Sequence, residues 1–285
     1  MATGGRHDQI RNADGPLDLT VAFPPRARAQ RGCHNSLYLI MNTTPAADKA
    51  DPPERLDGPD LGLAMLAIGA GSMDAFGLFA LGGALPSAMT GNTALLGLAL
   101  GQGHPTAAAS PFAAGIGFVL GAALASALLH LQLAKLPSRR AVAWLLAVEV
   151  CLLAGFLLAW QVANRPAAGL SLYVLILLGA AGMGIQSVAA RQDSRPGVTT
   201  VVFTSTLTAI VIAVTGTILG SPHRLGFAAK RQIFMFLAYG VGALTGGFLT
   251  WRTIDAIPFV PLVAALAALW LHRLSDRTSA RPQAQ

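Results

Sequence analysis

The 285-residue chain is 53% apolar and only 12% charged, carries 31 glycines, and has a mean hydropathy of +0.56. Water-soluble domains carry about 25% charged residues, so a soluble enzyme with a single core is excluded. The net charge of +7 and pI near 10.2 do not point to nucleic acid. Lys and Arg sit in short loops between apolar runs or in the first 60 residues, where membrane topology accounts for them.

Residues 1–60 are rich in Pro, Arg, Asp and Ala, and their one apolar patch, Leu37 to Met41, is too short for a signal-peptide core. They read as a disordered tail, with Met41 as an alternative translation start. Residues 61–273 read as a membrane domain and 274–285 as a C-terminal tail.

Eight apolar segments follow in chain order: 61–84, 87–101, 111–133, 141–161, 169–190, 198–219, 231–250 and 253–272. The second covers about 22 Å at the helical rise, short of a hydrocarbon core of roughly 30 Å. Flanking Lys and Arg decide how many segments cross. Eight crossings give a 9 to 6 distribution, whereas six crossings with segments two and six dipping in and returning give 13 to 2. The expected fold is therefore an all-α polytopic bundle, six crossings plus two short re-entrant segments, with both termini cytoplasmic. Trp144, Trp160, Trp251 and Trp270 all fall near predicted helix ends, as interfacial anchors do.

The halves, about 61–161 and 169–272, resemble each other. Gly71-Ser72-Met73-Asp74-Ala75 and Met89-Thr90-Gly91-Asn92-Thr93 recur 113 to 114 positions later as Gly184-Ile185-Gln186-Ser187-Val188 and Phe203 to Thr208. Gly117 with Gly121 and Gly242 with Gly246, 125 positions apart, put a small-residue face on the next helix of each half. These faces pack either within one subunit or between copies in a homo-oligomer. Three crossings per half make the repeat an inverted one, and interrupted segments at matching positions are the sequence pointer to a substrate site.

The same residues resemble the YoaK-like family of uncharacterised bacterial inner-membrane proteins, a domain-of-unknown-function family. Gly71 with Asp74-Ala75, Leu81-Gly82-Gly83, Met89 to Thr93, Gly184 with Gln186, and Gly197 to Thr200 leading to Thr206-Leu207-Thr208 carry the resemblance. It covers roughly residues 60–273. Ser187 and Ser205 stand where the family pattern usually has Asn and Gly. The resemblance implies an inner-membrane location and a fold, and no activity.

Two carboxylates lie at membrane depth, Asp74 in the first segment and Glu149 near the middle of the fourth. Each costs several kcal/mol unless paired, neutralised or hydrated. Either binds and releases a proton, or hydrogen-bonds a neighbouring helix to hold the bundle. Thr90, Asn92 and Thr93 lie where a short segment turns back and can cap the helix that follows, leaving its amides for a polar guest. Thr204, Ser205, Thr206 and Thr208 match them in the second half, and Gln186 with Ser187 occupies the position of Asp74. The alternative for the hydroxyls is bonding to the preceding turn of their own helix.

No histidine sits mid-helix, since His104, His130, His223 and His272 fall in loops or at helix ends; the two cysteines are far apart, and no hydrolase or phosphate-binding motif is present, so no metal, cofactor or enzymatic activity is expected. The functional expectation is a small-solute transporter or channel whose intramembrane carboxylate serves proton coupling or solute binding, its partners being membrane lipid and an unidentified solute. The rival is a scaffold or sensor whose polar motifs only hold helices together.

Overall fold

The computed structural model describes residues 56–131, 136–163, 166–192, 203–219 and 227–279. The expected tail of residues 1–60 lies almost wholly outside them, as do Gly197 to Thr200 and the side chains of Thr204 and Ser205. Among the described residues there are eight α-helices and no strand: α1 (Gly58–Ala80), α2 (Met89–Gly101), α3 (Pro105–Leu131), α4 (Ser138–Val162), α5 (Leu170–Gln192), α6 (Phe203–Ile218), α7 (Phe227–Arg252) and α8 (Phe259–Ser279). A 3-10 turn, Ile254–Ala256, joins the last two.

Six of these elements are long and apolar enough to cross a bilayer: α1, α3, α4, α5, α7, and the stretch Ile254–Ser275 that contains most of α8. The protein is a polytopic helical bundle. α2, with 13 residues, and α6, with 16, reach about 20 and 24 Å at 1.5 Å per residue, less than the hydrocarbon thickness. The expected re-entrant segment 198–219 contains α6, and its residues 198–202 lie outside the described ones.

Local chemistry sets the boundaries. α1 begins in a capping box, with Asp60 N donating to Asp57 Oδ1 at 3.1 Å and Asp57 N to Asp60 Oδ2 at 3.3 Å. It stops at Ala80 because Gly82 and Gly83 take positive φ of 63° and 80°, which side chains resist. α8 runs past the expected end of the membrane domain, to Ser279.

Glycine faces bring helices into backbone contact. A Cβ on Gly71 would strike the Tyr239 carbonyl and the Ala243 amide, and one on Gly242 would strike the Ile68 carbonyl. These contacts join α1 to α7. The α3 and α5 pair is built the same way: Gly121 lies on the Ala181 carbonyl, and Gly184 on the Phe118 carbonyl and Ala122 amide. The small-residue faces therefore pack inside one subunit, where close approach replaces the hydrophobic drive that lipid removes.

The pairings recur across the chain. α1 packs on α7 and α8, α5 on α3 and α4, α2 on α3, and α6 on α7. Gly71 meets Tyr239 and Ala243 as Gly184 meets Phe118 and Ala122, an offset of 121 and not 125. The glycines expected to match, Gly117 and Gly242, are 125 apart, one helical turn more than these contact partners.

The core lies between α1, α4 and α5 around Met73, Phe76, Phe156 and Trp160, the last two each edge-on to Phe76 with centroids 5.9 and 4.8 Å away. Trp160 is 2% exposed and is a packing residue, contrary to its expected interfacial role. Trp144, Trp251 and Trp270 are exposed.

Candidate functional site

After α1 ends, the chain doubles back. Gly77 allows this because it has no side chain where the Ala84 carbonyl and the Pro86 ring pass. The returning segment carries Ser87 down to Asp74, six residues before the end of α1. Ser87 N donates to Asp74 Oδ1 at 2.8 Å and Ser87 Oγ to Oδ2 at 2.5 Å. Tyr239 of α7 donates its hydroxyl to the same Oδ2 at 2.8 Å. Asp74 is 3% exposed. A buried carboxylate is an acceptor that must be supplied with donors, and here a neighbouring helix and the returning segment supply three.

Asn92 secures the other end of that segment. Its Oδ1 accepts from Leu85 N at 2.9 Å while its Nδ2 donates to Leu85 O at 2.6 Å. One side-chain amide thus satisfies both backbone groups of a residue that belongs to no helix, as a neighbouring strand would. The expected capping role is not met: the N-cap of α2 is Ala88, with no side-chain hydrogen bond. Thr93 Oγ1 donates to Met89 O at 3.0 Å, the bond to its own preceding turn, and Thr90 is exposed.

Beside this junction a groove of about 420 Å³ separates α2 from α3, bordered by Met89, Asn92, Thr93, Pro111, Phe112 and Ile116, among others. Small-molecule sites are of roughly this size, mostly apolar with a few placed polar groups.

The remaining expected site residues are elsewhere. Gln186 of α5 is buried and donates Nε2 to Leu66 O of α1 at 3.0 Å. Glu149 of α4 is 0% exposed, and among the described residues neither carboxyl oxygen has a hydrogen-bond partner. Thr206 is buried on α6 at the position matching Asn92, while Thr208 is exposed. The structure thus brings Asp74 and Asn92 together through the segment between them, and keeps Gln186 and Glu149 apart from that junction.

Sequence reasoning did not single out Ser87, Tyr239 or a third buried acid, Asp60. Arg231, expected as a topological anchor, is 5% exposed; its Nε lies 2.8 Å from Asp60 Oδ1 and its Nη2 donates to Oδ2 at 3.2 Å. Phe227 covers the guanidinium, 4.8 Å from the ring centroid. The signal for Tyr239 was its place one turn before Gly242 on the small-residue face. Ser87 precedes the Met89 to Thr93 block with nothing in its spacing to mark it.

The family described as a protein of unknown function, DUF1275, matches residues 62–271. The chain belongs to this family. The DUF1275 match runs from the first turns of α1 through most of α8 and takes in the whole Asp74 junction and Glu149, while Asp60 lies outside it. A relative, the UPF0700 transmembrane protein YoaK of Bacillus subtilis (strain 168), is 29% identical over 223 residues, 74% of this chain and 93% of its own length. No solved structure matches. Together with the six apolar helices, the family assignment makes this a multi-pass membrane protein.

Proposed function

We propose that this DUF1275 protein is a transporter or channel for a small solute, built as two inverted halves in the bacterial inner membrane with both termini cytoplasmic. The orientation rests on the 13 to 2 distribution of flanking Lys and Arg. Exchange of equivalent contacts across the centre supports the inversion. Gln186 meets Leu66, and Met73, the counterpart of Gln186 at an offset of 113, lies against Gly179, the counterpart of Leu66.

The observation that carries the functional reading is the groove of about 420 Å³ opening beside Asn92 and Thr93, next to the buried Asp74, Ser87 and Tyr239 junction. Substrate sites of inverted-repeat transporters form where broken helices meet at depth, and the returning segment with α2 is such a break. In this reading Asn92 and Thr93 contact the solute, and Asp74 fixes the segment that presents them. Purified full-length protein screened against a metabolite panel is expected to gain thermal stability with at least one compound, because a guest that prefers the folded state stabilises it. Asn92→Ala should lose that gain. An Asn92→Ala protein that stays folded and keeps the full shift contradicts the reading.

One observation favours a scaffold: the Asp74 oxygens already take three intramolecular donors. On that reading Asp74→Asn lowers stability in detergent and no compound shifts the wild type.

A further inference from the structure

Glu149 is a buried titratable group that the junction does not use. It sits midway along α4, is 0% exposed, and leaves both carboxyl oxygens without a hydrogen-bond partner among the described residues. α4 and α5 run antiparallel, since Ser138 Oγ donates to Gln192 O at 3.3 Å near one end and Leu153 lies against Gly182 further along. Glu149, one turn before Leu153, is therefore level with Gln186, one turn after Gly182. Gln186 spends its amide on Leu66 O. The elements packed on this face of α4 bring no charge to that level. α5 offers Gln186, with the exposed Arg191 five residues on, about 8 Å along the axis, and α8 the alanines Ala264, Ala265 and Ala268, while on α1 Asp60, paired with Arg231, lies six residues before Leu66, about 9 Å, and Asp74 eight residues beyond it, about 12 Å. His272 of α8, held by the Arg139 carbonyl at 2.8 Å, is ten α4 residues away, about 15 Å.

A carboxyl in this setting has no donor but its own proton. An ionised group without partner or water costs several kcal/mol or more, while the neutral acid asks far less of its surroundings. A small cavity between α1, α4, α5 and α8, lined by Leu66, Leu146, Ala189 and His272, offers about 20 Å³ to water centres. That is room for roughly one water. Glu149 does not line it; its lining residue on α4 closest to Glu149 is Leu146, one turn before Glu149, and its one polar side chain is His272.

We infer that Glu149 is a proton-exchange site, which holds its proton in the packing seen here and exchanges it with water entering through the cavity above Leu146. The proton comes from water and returns to water, and no other group changes. The inference rests on the transport reading for its use, as the coupling group distinct from the Asp74 junction, and on the geometry alone for its existence.

The test is infrared difference spectroscopy of the full-length protein in lipid nanodiscs, titrated from acidic to alkaline buffer. The wild type is expected to show a protonated-carboxyl stretch that diminishes as the buffer becomes alkaline. The band should be lost in Glu149→Gln, return at a shifted frequency in Glu149→Asp, and persist in Asp74→Asn. Persistence of the band in Glu149→Gln, its loss only in Asp74→Asn, or a Glu149 band that no pH removes while the protein stays folded would each overturn the inference. Should Glu149→Gln not fold, Glu149→Asp decides by its frequency shift, an unshifted band overturning the inference. A titrating Glu149 band in a protein that no compound stabilises would sink the transport reading and leave the proton site standing.

Discussion

The Tyr239 hydroxyl donates to Asp74 Oδ2 at 2.8 Å, while the Tyr239 carbonyl lies where Gly71, one turn earlier on α1, has no side chain. One residue of α7 thus makes a polar and a steric contact with the same helix. The two contacts are separable by substitution. Tyr239→Phe removes the hydrogen bond and keeps the packing, and should destabilise by about 0.6 to 1.7 kcal/mol, the range for interhelical hydrogen bonds in membranes. Denaturant unfolding in mixed micelles reads it. A neutral result would show that Ser87 alone satisfies Asp74.

Gly71→Ala and Gly184→Ala test the paired backbone contacts. Each added Cβ meets backbone, the Tyr239 carbonyl in one half and the Phe118 carbonyl in the other, so the helices must part. Each should cost about 1 to 3 kcal/mol, the cost of overpacking. Gly97→Ala, where a Cβ meets nothing within 4 Å, is the control and should be close to neutral in the same unfolding assay.

Asn92→Ala should release the returning segment, since Asn92 alone bonds both backbone groups of Leu85. Hydrogen exchange read by mass spectrometry is expected to speed up at the Leu85 amide while the amides of α1 around Leu66 keep their protection. Unchanged exchange at Leu85 would mean that packing of Pro86 on Gly77 holds the segment without the amide.

The buried Asp60 and Arg231 pair gives a different pattern. Asp60→Ala or Arg231→Ala strands one charge and should cost about 3 to 5 kcal/mol. The double substitution should cost less than the sum of the two, because neither charge is left without its partner. Strict additivity would show that the pair does not couple α1 to α7.

The bundle was legible from sequence because crossing a bilayer demands long apolar helices, and six such helices stand among the described residues. Asp74 and Asn92 were legible as outliers in polarity. Their partners were not, because Ser87 and Tyr239 are ordinary residues until a doubled-back segment and a helix more than 150 positions away deliver them. Asp60 was missed for the opposite reason: a charge at the edge of an apolar run looks like the start of a tail, and only the approach of Arg231 turns it into a buried group. Glycine spacing that repeats every four residues leaves the register of the halves open by one turn, so the expected offset of 125 and the 121 between contact partners differ by that turn.

The arrangement of the two halves depends on which short helices stop short of crossing, and cysteine labelling of oriented vesicles tests this most directly. In a background with Cys33 and Cys151 replaced by serine, single cysteines at Leu56, His104 and Arg273, all exposed, report on the start of α1, the turn after α2 and the end of α8. Leu56→Cys and Arg273→Cys are expected to be labelled from one face and His104→Cys from the other. Labelling of His104→Cys from the same face as Leu56→Cys would mean that α2 crosses, and the inverted arrangement would fail.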